Sequence, residues 1–264
     1  MTDFRTNAFA ADAIDEAARL STVGIVGGSG EQKWQGIGTG TLIRWNQQHV
    51  VLTAEHVVAG TSRDDLRFFL PLENPPKTAE RDVLQSLRGV PTRDLLPFSE
   101  IGIHAIVSDP SLDLAALVID SWLDGQYPTA RFFEMVPGGQ TPAEGQVIVA
   151  RGFPHDLSRV TQQNDRVVFM YGHWANIAAD GHELENFDRA LHFLAPFDDS
   201  VQDAHPAGLS GSAQWFSRPT PAPALWTPNL DIAGVTITYY GANRLLKMVR
   251  REVVEQFLSR EFGA

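Results

Sequence analysis

Short runs of hydrophobic residues, separated by turn-forming residues, recur along the chain from residue 22 to residue 240. β-Branched and aliphatic side chains dominate these runs, while glycine, proline and polar residues separate them, which is typical of β-strands. The pattern predicts strands at residues 22–26, 38–44, 49–53, 66–70, 101–107, 114–119, 146–151, 166–171, 190–194, 214–216 and 232–240. Because the strands fall into two halves, we expect an all-β protein built from barrels or sandwiches.

Helical spacing of apolar residues is found at the two ends of the chain. Residues 12–20 are rich in alanine and acidic at their start, which predicts a short helix. Residues 243–262 carry an apolar stripe at helical spacing, which predicts a longer helix. We interpret the basic residues Lys247, Arg250 and Arg251 as the solvent-exposed face of this second helix.

The predicted elements divide the chain into five segments. They are an N-terminal helical extension (1–21), a first β barrel (22–120), a linker between the barrels (121–140), a second β barrel (141–242) and a C-terminal helix (243–264). Within the first half, Pro75 and Pro76 break the chain, and residues 78–87 have a helix-forming composition. We therefore interpret residues 71–100 as a surface insertion.

Composition argues against several classes of protein. The chain has 264 residues, of which 43% are hydrophobic, so it is long enough for a sizeable core. Its net charge of −11 argues against a general binder of nucleic acid or of anionic membranes. Cysteine is absent, which rules out disulfides, cysteine-ligated zinc and a thiol nucleophile. Because no apolar stretch is long enough for a signal peptide or a membrane span, we expect a cytoplasmic protein.

The histidines and glycines of the chain do not match a metal or nucleotide site. None of the histidines of the second half forms a tight ligand pair such as His-Glu-x-x-His. They are His155, His173, His182, His192 and His205. The glycines at 27–30 and 36–40 match neither Gly-x-Gly-x-x-Gly before a helix nor a P-loop. We therefore predict no metal and no cofactor.

The segment 204–213 places Ser210 between Gly208 and Gly211, in a turn that can present a hydroxyl and backbone N–H groups. Such turns are common on protein surfaces, so the turn alone decides nothing. A serine hydroxyl becomes a nucleophile only when a base takes its proton and a third group orients that base. His56, directly after a predicted strand, and Asp113, at the start of another, are the candidates for these two roles.

Three segments of the chain resemble those of bacterial trypsin-like serine peptidases. Residues 53–57 (Thr-Ala-Glu-His-Val) look like the family's Thr-Ala-Ala-His segment, and residues 113–117 (Asp-Leu-Ala-Ala-Leu) like its Asp-x-Ala-x-Leu segment. Residues 208–211 (Gly-Leu-Ser-Gly) match its Gly-x-Ser-Gly turn, and the order histidine, aspartate, serine is the family's order. Similarity extends to the strands at residues 38–43, 152–154 and 232–235, so the resemblance covers about residues 22–258.

The resemblance implies a fold of two six-stranded antiparallel β barrels with the active site between them. Ser210 would be the nucleophile, His56 the general base and then acid, and Asp113 the orienting carboxylate. The N–H groups of Gly208 and Ser210 would form the oxyanion hole. Ser212 is a competing nucleophile that does not match the family pattern. We expect the substrate pocket near Ala204, His205 and Ile237, although the loops that would shape it cannot be read from the sequence.

Two departures from the family pattern affect the expected regulation. Leu209 stands where secreted trypsins have an aspartate that pairs with an amino terminus released by cleavage, so we predict no such activation. The match of residues 25–28 (Ile-Val-Gly-Gly) to the mature trypsin terminus is interpreted as part of the first strand and its turn. Glu55 stands where a small residue is usual, and a carboxylate there would compete with Asp113 or raise the pKa of His56, unless it points to solvent.

Three classes of function remain open. The first is a serine endopeptidase acting on a protein or peptide substrate through an acyl-enzyme intermediate. The second is a non-hydrolytic relative that binds peptides or proteins, which a full set of three reactive residues disfavours. The third is a protease effector that stays inactive until a regulatory protein partner remodels it. The sequence does not separate the first class from the third.

Overall fold

A computed structural model of the chain describes residues 14, 16–27, 35–70, 98–99, 102–120, 131–154, 159–160, 166–167, 171–178, 184–197, 205–218 and 230–263. Strands dominate these residues and form two antiparallel, barrel-like sheets. Helices are short and lie near the termini and after one strand. The predicted all-β fold of two six-stranded barrels with terminal helices is confirmed.

The first sheet contains six main strands and two strands of two residues each. The strands are β1 (Thr22–Gly27), β2 (Gln35–Trp45), β3 (Gln48–Thr53), β4 (Leu66–Phe69), β5 (Phe98–Ser99), β6 (Ile103–Asp109), β7 (Leu114–Ile119) and β8 (Phe133–Glu134). They are ordered β5-β4-β1-β2-β3-β7-β6, and β8 pairs in parallel with β2. Asn46 and Gln47 join β2 to β3 with φ values of 45° and 68°, as a tight hairpin turn requires.

The second sheet closes on itself through a bridge. Its strands are β9 (Val147–Gly152), β12 (Tyr171–Asn176), β13 (His192–Pro196), β14 (Ala213–Ser217), β15 (Leu230–Tyr240) and β16 (Leu245–Arg250), ordered β12-β9-β14-β15-β16-β13. The Ala178 N–H, just after β12, donates to the Leu194 carbonyl of β13 at 2.8 Å, which joins the two outer strands. A separate hairpin is formed by β10 (Arg159–Val160) and β11 (Arg166–Val167).

The helices are α1 (residues 14 and 16–21 are helical), α2 (Glu55–Val58) and α3 (Arg251–Phe262). A single turn of 3₁₀ helix, Arg63–Asp65, precedes β4. Within the described ranges, no helix has the length and apolar character needed to cross a membrane.

The prediction of one helix over residues 243–262 is wrong in its first part. Residues Leu245–Arg250 form β16, and the helix begins only at Arg251. β16 pairs with β13 and β15, and its residues 246–249 are buried on both faces of the strand, so its apolar residues need no helical period. The basic cluster is not a solvent-exposed helical face either, because Lys247 is 7% exposed and Arg251 is fully buried.

Other predictions fall partly outside the described residues. The helix-forming residues 78–87, most of the insertion at 71–100 and residues 121–130 of the linker are not among them. The described end of the linker includes β8, which belongs to the first sheet. The strand expected at 166–171 corresponds to β11 and the first residue of β12.

One hydrophobic core cluster joins residues of both barrels with the C-terminal helix. Ile25 and Leu52 of the first barrel belong to the same cluster as Trp215 of the second, and so does Phe257 of α3. The end of α3 is tied to the first barrel, because the Trp45 Nε1–H donates to the Gly263 carbonyl at 3.0 Å. The two barrels therefore pack through a shared apolar interface.

Candidate active site

His56 and Asp113 come from neighbouring strands of the first barrel. β3 ends at Thr53, and the short helix α2 then carries His56 in its first turn. Asp113 ends the turn between β6 and β7 with φ of 53°, a left-handed conformation that aspartate tolerates better than most residues. Because β3 pairs with β7 through Thr53 and Ala115, the two residues emerge at the same edge of the sheet.

The Asp113 carboxylate holds His56 through three contacts. His56 Nδ1 lies 2.9 Å from Oδ2 and 3.0 Å from Oδ1, and the His56 backbone N–H donates to Oδ1 at 3.0 Å. The Glu55 N–H also donates to the Asp113 carbonyl at 3.1 Å. This arrangement favours a proton on Nδ1, which leaves Nε2 of a neutral ring available as a base.

The same carboxylate raises the pKa of His56 above its usual 6.5. The hydrogen bond from Asp113 is the largest cause; burial of the ring opposes it, and the charges of Asp113 and then Glu55 add to it. Glu55 itself is half-buried. The His56 side chain remains 49% exposed and so stays accessible from solvent.

The turn of residues 207–211 presents Ser210 from the second barrel. Gly208 and Gly211 have φ values of 99° and 89°, which favour glycine at both positions. Within the turn, the Leu209 N–H donates to the Pro206 carbonyl at 2.9 Å. In the part of the chain that the structure describes, the N–H groups of Gly208 and Ser210 donate to no protein acceptor. Two N–H groups of the turn thus remain without a hydrogen-bond acceptor among the described residues.

A contact between the barrels brings the serine turn close to the histidine helix. The Thr39 N–H of β2 donates to the Ser210 carbonyl at 2.9 Å. Gly38 lies against this contact: a Cβ there would be 3.1 Å from the Ser210 carbonyl oxygen and 2.6 Å from the Val57 side chain. Val57 directly follows His56, so a single glycine separates the two segments. Among the described residues, however, no hydrogen bond joins the His56 ring to the Ser210 hydroxyl.

The competing nucleophile Ser212 is not accessible. Its side chain is fully buried, and its Oγ hydrogen-bonds Thr236 Oγ1 at 3.1 Å. Ser210 is only partly buried, and it lies in the turn with the two available N–H groups.

The residues expected around a substrate pocket have different environments. His205 is exposed, its Nδ1 accepts the Ala207 N–H at 3.2 Å, and its ring meets Tyr239 edge-on at 5.8 Å. Ile237 is 3% exposed and sits at an irregularity where β15 loses register with β16. Ala204 lies outside the described residues.

The histidines considered as metal ligands are dispersed. His192 is buried, and burial together with the nearby Lys247 charge lowers its pKa to about 4, so it is neutral. His155 and His182 lie outside the described ranges, and only the backbone of His173 is described. Across the described ranges, no three metal-ligating side chains cluster together.

Leu209 and Ile25 are both structural residues of the interior. Leu209 is 1% exposed and belongs to the core of the second barrel. Ile25 is fully buried in β1, paired with Gly38 and Phe68, so residues 25–27 belong to the first strand as predicted; Gly28 and the turn expected there lie outside the described residues.

No protein family model matches the chain, and no curated protein matches it significantly.

Sequence reasoning did not identify Thr39 as part of this site. Its only sequence signal is the Gly-Thr-Gly pattern of residues 38–40, where small residues on a strand allow close approach of another segment.

Proposed function

We propose that the protein is a trypsin-like serine endopeptidase with Ser210 as nucleophile, His56 as general base and Asp113 as orienting carboxylate. The observation that carries this proposal is the three-point contact between Asp113 and His56, which fixes the imidazole as catalysis of this kind requires. The N–H groups of Gly208 and Ser210, which have no acceptor among the described residues, support the assignment of an oxyanion hole.

In this mechanism the Ser210 Oγ attacks the scissile carbonyl carbon while its proton passes to Nε2 of His56. The carbonyl oxygen becomes negative and accepts hydrogen bonds from the Gly208 and Ser210 N–H groups. His56 then gives its proton to the leaving nitrogen, the C–N bond breaks, and an acyl-serine remains. Water, deprotonated by His56, hydrolyses this ester and regenerates the hydroxyl. Asp113 stabilises the imidazolium formed in each half-reaction.

The same proposal includes activity without cleavage of the amino terminus. Leu209 is buried among apolar side chains, so it offers no carboxylate for a new terminal ammonium. Ile25, the residue that would become that terminus, is fully buried within β1. Activity without cleavage would be contradicted if a form of the protein that starts at Ile25 were active while the full-length chain was inactive. The proposed setting is the cytoplasm, with proteins or peptides as substrates.

The decisive experiment is reaction of the native protein with a fluorophosphonate probe, followed by mapping of the adduct. We expect modification of Ser210 alone, because only a serine beside a general base and an oxyanion hole reacts readily. Ser210→Ala should abolish labelling, whereas the matched variant Ser212→Ala should retain it. Folded wild-type protein that remains unlabelled would falsify an autonomous peptidase.

A second candidate function is a protease effector that a protein partner activates. The absence of a hydrogen bond between the described His56 and Ser210 side chains favours it, although such contacts are often loose in free enzymes. Casein hydrolysis measured alone and after co-expression with neighbouring gene products separates the two functions. Activity only in the second case supports the effector; equal activity in both supports the autonomous enzyme.

A further inference from the structure

The turn of residues 207–211 depends on contacts outside it to hold the carbonyls of Gly208 and Ser210. It contains two glycines at positive φ, and glycine backbones are conformationally free. Leu209 is anchored by apolar packing, its N–H donates to the Pro206 carbonyl at 2.9 Å, and its carbonyl accepts the Ser212 N–H at 3.0 Å. These contacts leave the carbonyls of Gly208 and Ser210 without a partner inside the turn. The N–H of Gly208 keeps its direction only if the neighbouring peptide is held.

Thr39 supplies two directional contacts to this turn from the opposite barrel. Its Oγ1–H donates to the Gly208 carbonyl at 2.6 Å, and its N–H donates to the Ser210 carbonyl at 2.9 Å. The first carbonyl belongs to the Gly208–Leu209 peptide and the second to the Ser210–Gly211 peptide. One residue of β2 therefore fixes the peptide groups that adjoin both proposed oxyanion donors.

Among the described residues, the Thr39 hydroxyl donates to the Gly208 carbonyl alone. Its Oγ1 accepts the Phe153 N–H at 3.0 Å, so its single hydrogen is left for the Gly208 carbonyl. The Thr39 carbonyl is held in turn, because the Thr53 hydroxyl donates to it at 2.7 Å. Thr39 is fully buried, where such hydrogen bonds are not exchanged for water.

Two glycines leave room for these contacts. A Cβ at Gly152 would lie 2.7 Å from the Leu209 Cδ2 and 2.9 Å from the Thr39 Oγ1. A Cβ at Gly211 would overlap the Thr39 carbonyl oxygen and the Thr53 hydroxyl. The close approach of Thr39 to the turn therefore depends on small residues on both sides of the contact.

We propose that Thr39 is the positioning residue of the oxyanion turn: its buried hydroxyl, on the first barrel, holds the Gly208–Leu209 peptide, which lies between the peptides that carry the Gly208 and Ser210 N–H groups, and so fixes the orientation of both donors. The hydrogen bonds from Thr39 support the turn in place of an ion pair, which the uncharged Leu209 cannot form. The inference rests on the proposed peptidase function, because only an oxyanion hole gives this orientation a catalytic consequence.

The test compares three variants. Thr39→Val keeps the shape of the side chain but removes the hydroxyl, Thr39→Ser keeps the hydroxyl, and Thr41→Val is the matched control. Thr41 is also a fully buried β2 threonine, and its Oγ1 accepts the Ala213 N–H at 3.1 Å, beyond the turn. Thr39→Val and Thr41→Val each leave a buried N–H of the second barrel without its partner, so both should lower the melting temperature.

Two measurements distinguish positioning from general stability. Fluorophosphonate inactivation is resolved into a binding constant and a maximal rate, and amide hydrogen exchange is followed at Leu209 and Ser212, which are hydrogen-bonded within the turn. In Thr39→Val we expect the maximal rate to fall by about 10- to 100-fold with little change in binding, since a displaced oxyanion donor acts on the reaction step. Exchange at both amides should accelerate. Thr39→Ser should restore the maximal rate of inactivation and the exchange rates of both amides, and Thr41→Val should keep these rates close to those of the wild type.

The outcomes separate the two hypotheses. If Thr39→Val reacts and exchanges like the wild type, Thr39 is not a positioning residue, but the proposed peptidase function stands. If Thr41→Val loses as much of the maximal inactivation rate as Thr39→Val, Thr39 is again not a positioning residue, because the loss then follows from lower stability. If the wild type does not react at all, the autonomous peptidase fails, and the exchange of Leu209 and Ser212 still decides whether Thr39 holds the turn.

Discussion

At the scale of single residues, the charge of Glu55 has a measurable consequence for His56. A nearby carboxylate favours the imidazolium, and Glu55 acts in the same direction as Asp113 on the pKa of His56. Because His56 must be neutral to act as a base, activity should rise with pH through a pKa above 6.5. Glu55→Gln should shift this rise in kcat/KM to lower pH without abolishing activity.

The control for this pH profile is Asp113→Asn. It removes the largest cause of the raised pKa and also allows the wrong tautomer of His56, so kcat should fall by about 10⁴-fold. An unchanged profile in Glu55→Gln would mean that the Glu55 charge is screened by solvent.

The stability of the fold depends on pH in the opposite direction to activity. With a folded pKa of His56 above 6.5, the His56–Asp113 pair stabilises the fold below pH 6.5, and this stabilisation is lost as pH rises through the folded pKa.

Residues of the site differ in how far the sequence could predict them. A short sequence pattern around each of His56, Asp113 and Ser210 indicates a chemical role for that residue. The structure brings His56 and Asp113 into direct contact. Thr39 could not be found in this way, because threonine is an ordinary strand residue. Its partner Gly208 is 169 positions away, and only the packing of the barrels joins them.

At the scale of elements, β16 illustrates why a hydrophobic pattern can mislead. Leu245, Leu246 and Val249 fit one face of a helix, but they fit a strand covered on both sides equally well. In the structure Leu246 and Met248 face the core of the second barrel, and Val249 faces the shared core. The two-residue period becomes visible only once the pairing of β16 with β13 and β15 is known.

The junction between β16 and α3 is stabilised by a buried arginine, which leads to a prediction about stability. Arg251 is fully buried, lies 3.7 Å from Asp231 and 2.8 Å from Glu255, and donates to the Val136 carbonyl at 2.8 Å. Asp231 is 3% exposed at its side chain, and among the described residues Arg218 is its one remaining cationic partner if Arg251 is removed. Arg251→Ala should therefore lower the free energy of unfolding by about 3 kcal/mol.

The matched control is Arg260→Ala, in the same helix. Arg260 pairs with Asp109 at 2.9 Å, but its side chain is 53% exposed, so water replaces the lost contact. Urea unfolding followed by circular dichroism should give a clearly lower midpoint for Arg251→Ala and nearly the wild-type midpoint for Arg260→Ala. Equal midpoints for the two variants would show that the buried network adds no net stability.

At the scale of the whole molecule, the fold could be predicted because two properties of a barrel are local. A strand is visible as a short apolar run, and a turn is visible in its glycine, proline and polar residues. The association of the two barrels is not local. It depends on the core that Ile25 and Leu52 share with Trp215, and on hydrogen bonds such as that from the Ala213 N–H to Thr41.

This shared interface predicts that the two barrels unfold as one cooperative unit. Val57 is 3% exposed and packs against Gly38, next to the Ser210 carbonyl, so it lies where the barrels meet. Val57→Ala removes two buried methyl groups and should cost about 2 kcal/mol. Hydrogen exchange in low urea measures the opening free energy of β3 and of β14 separately. The opening free energies of β3 and β14 should fall by the same amount, although the substitution is in the first barrel. A fall confined to β3 would mean that the second barrel is stable on its own, and that its Ser210 turn stays ordered without the first barrel.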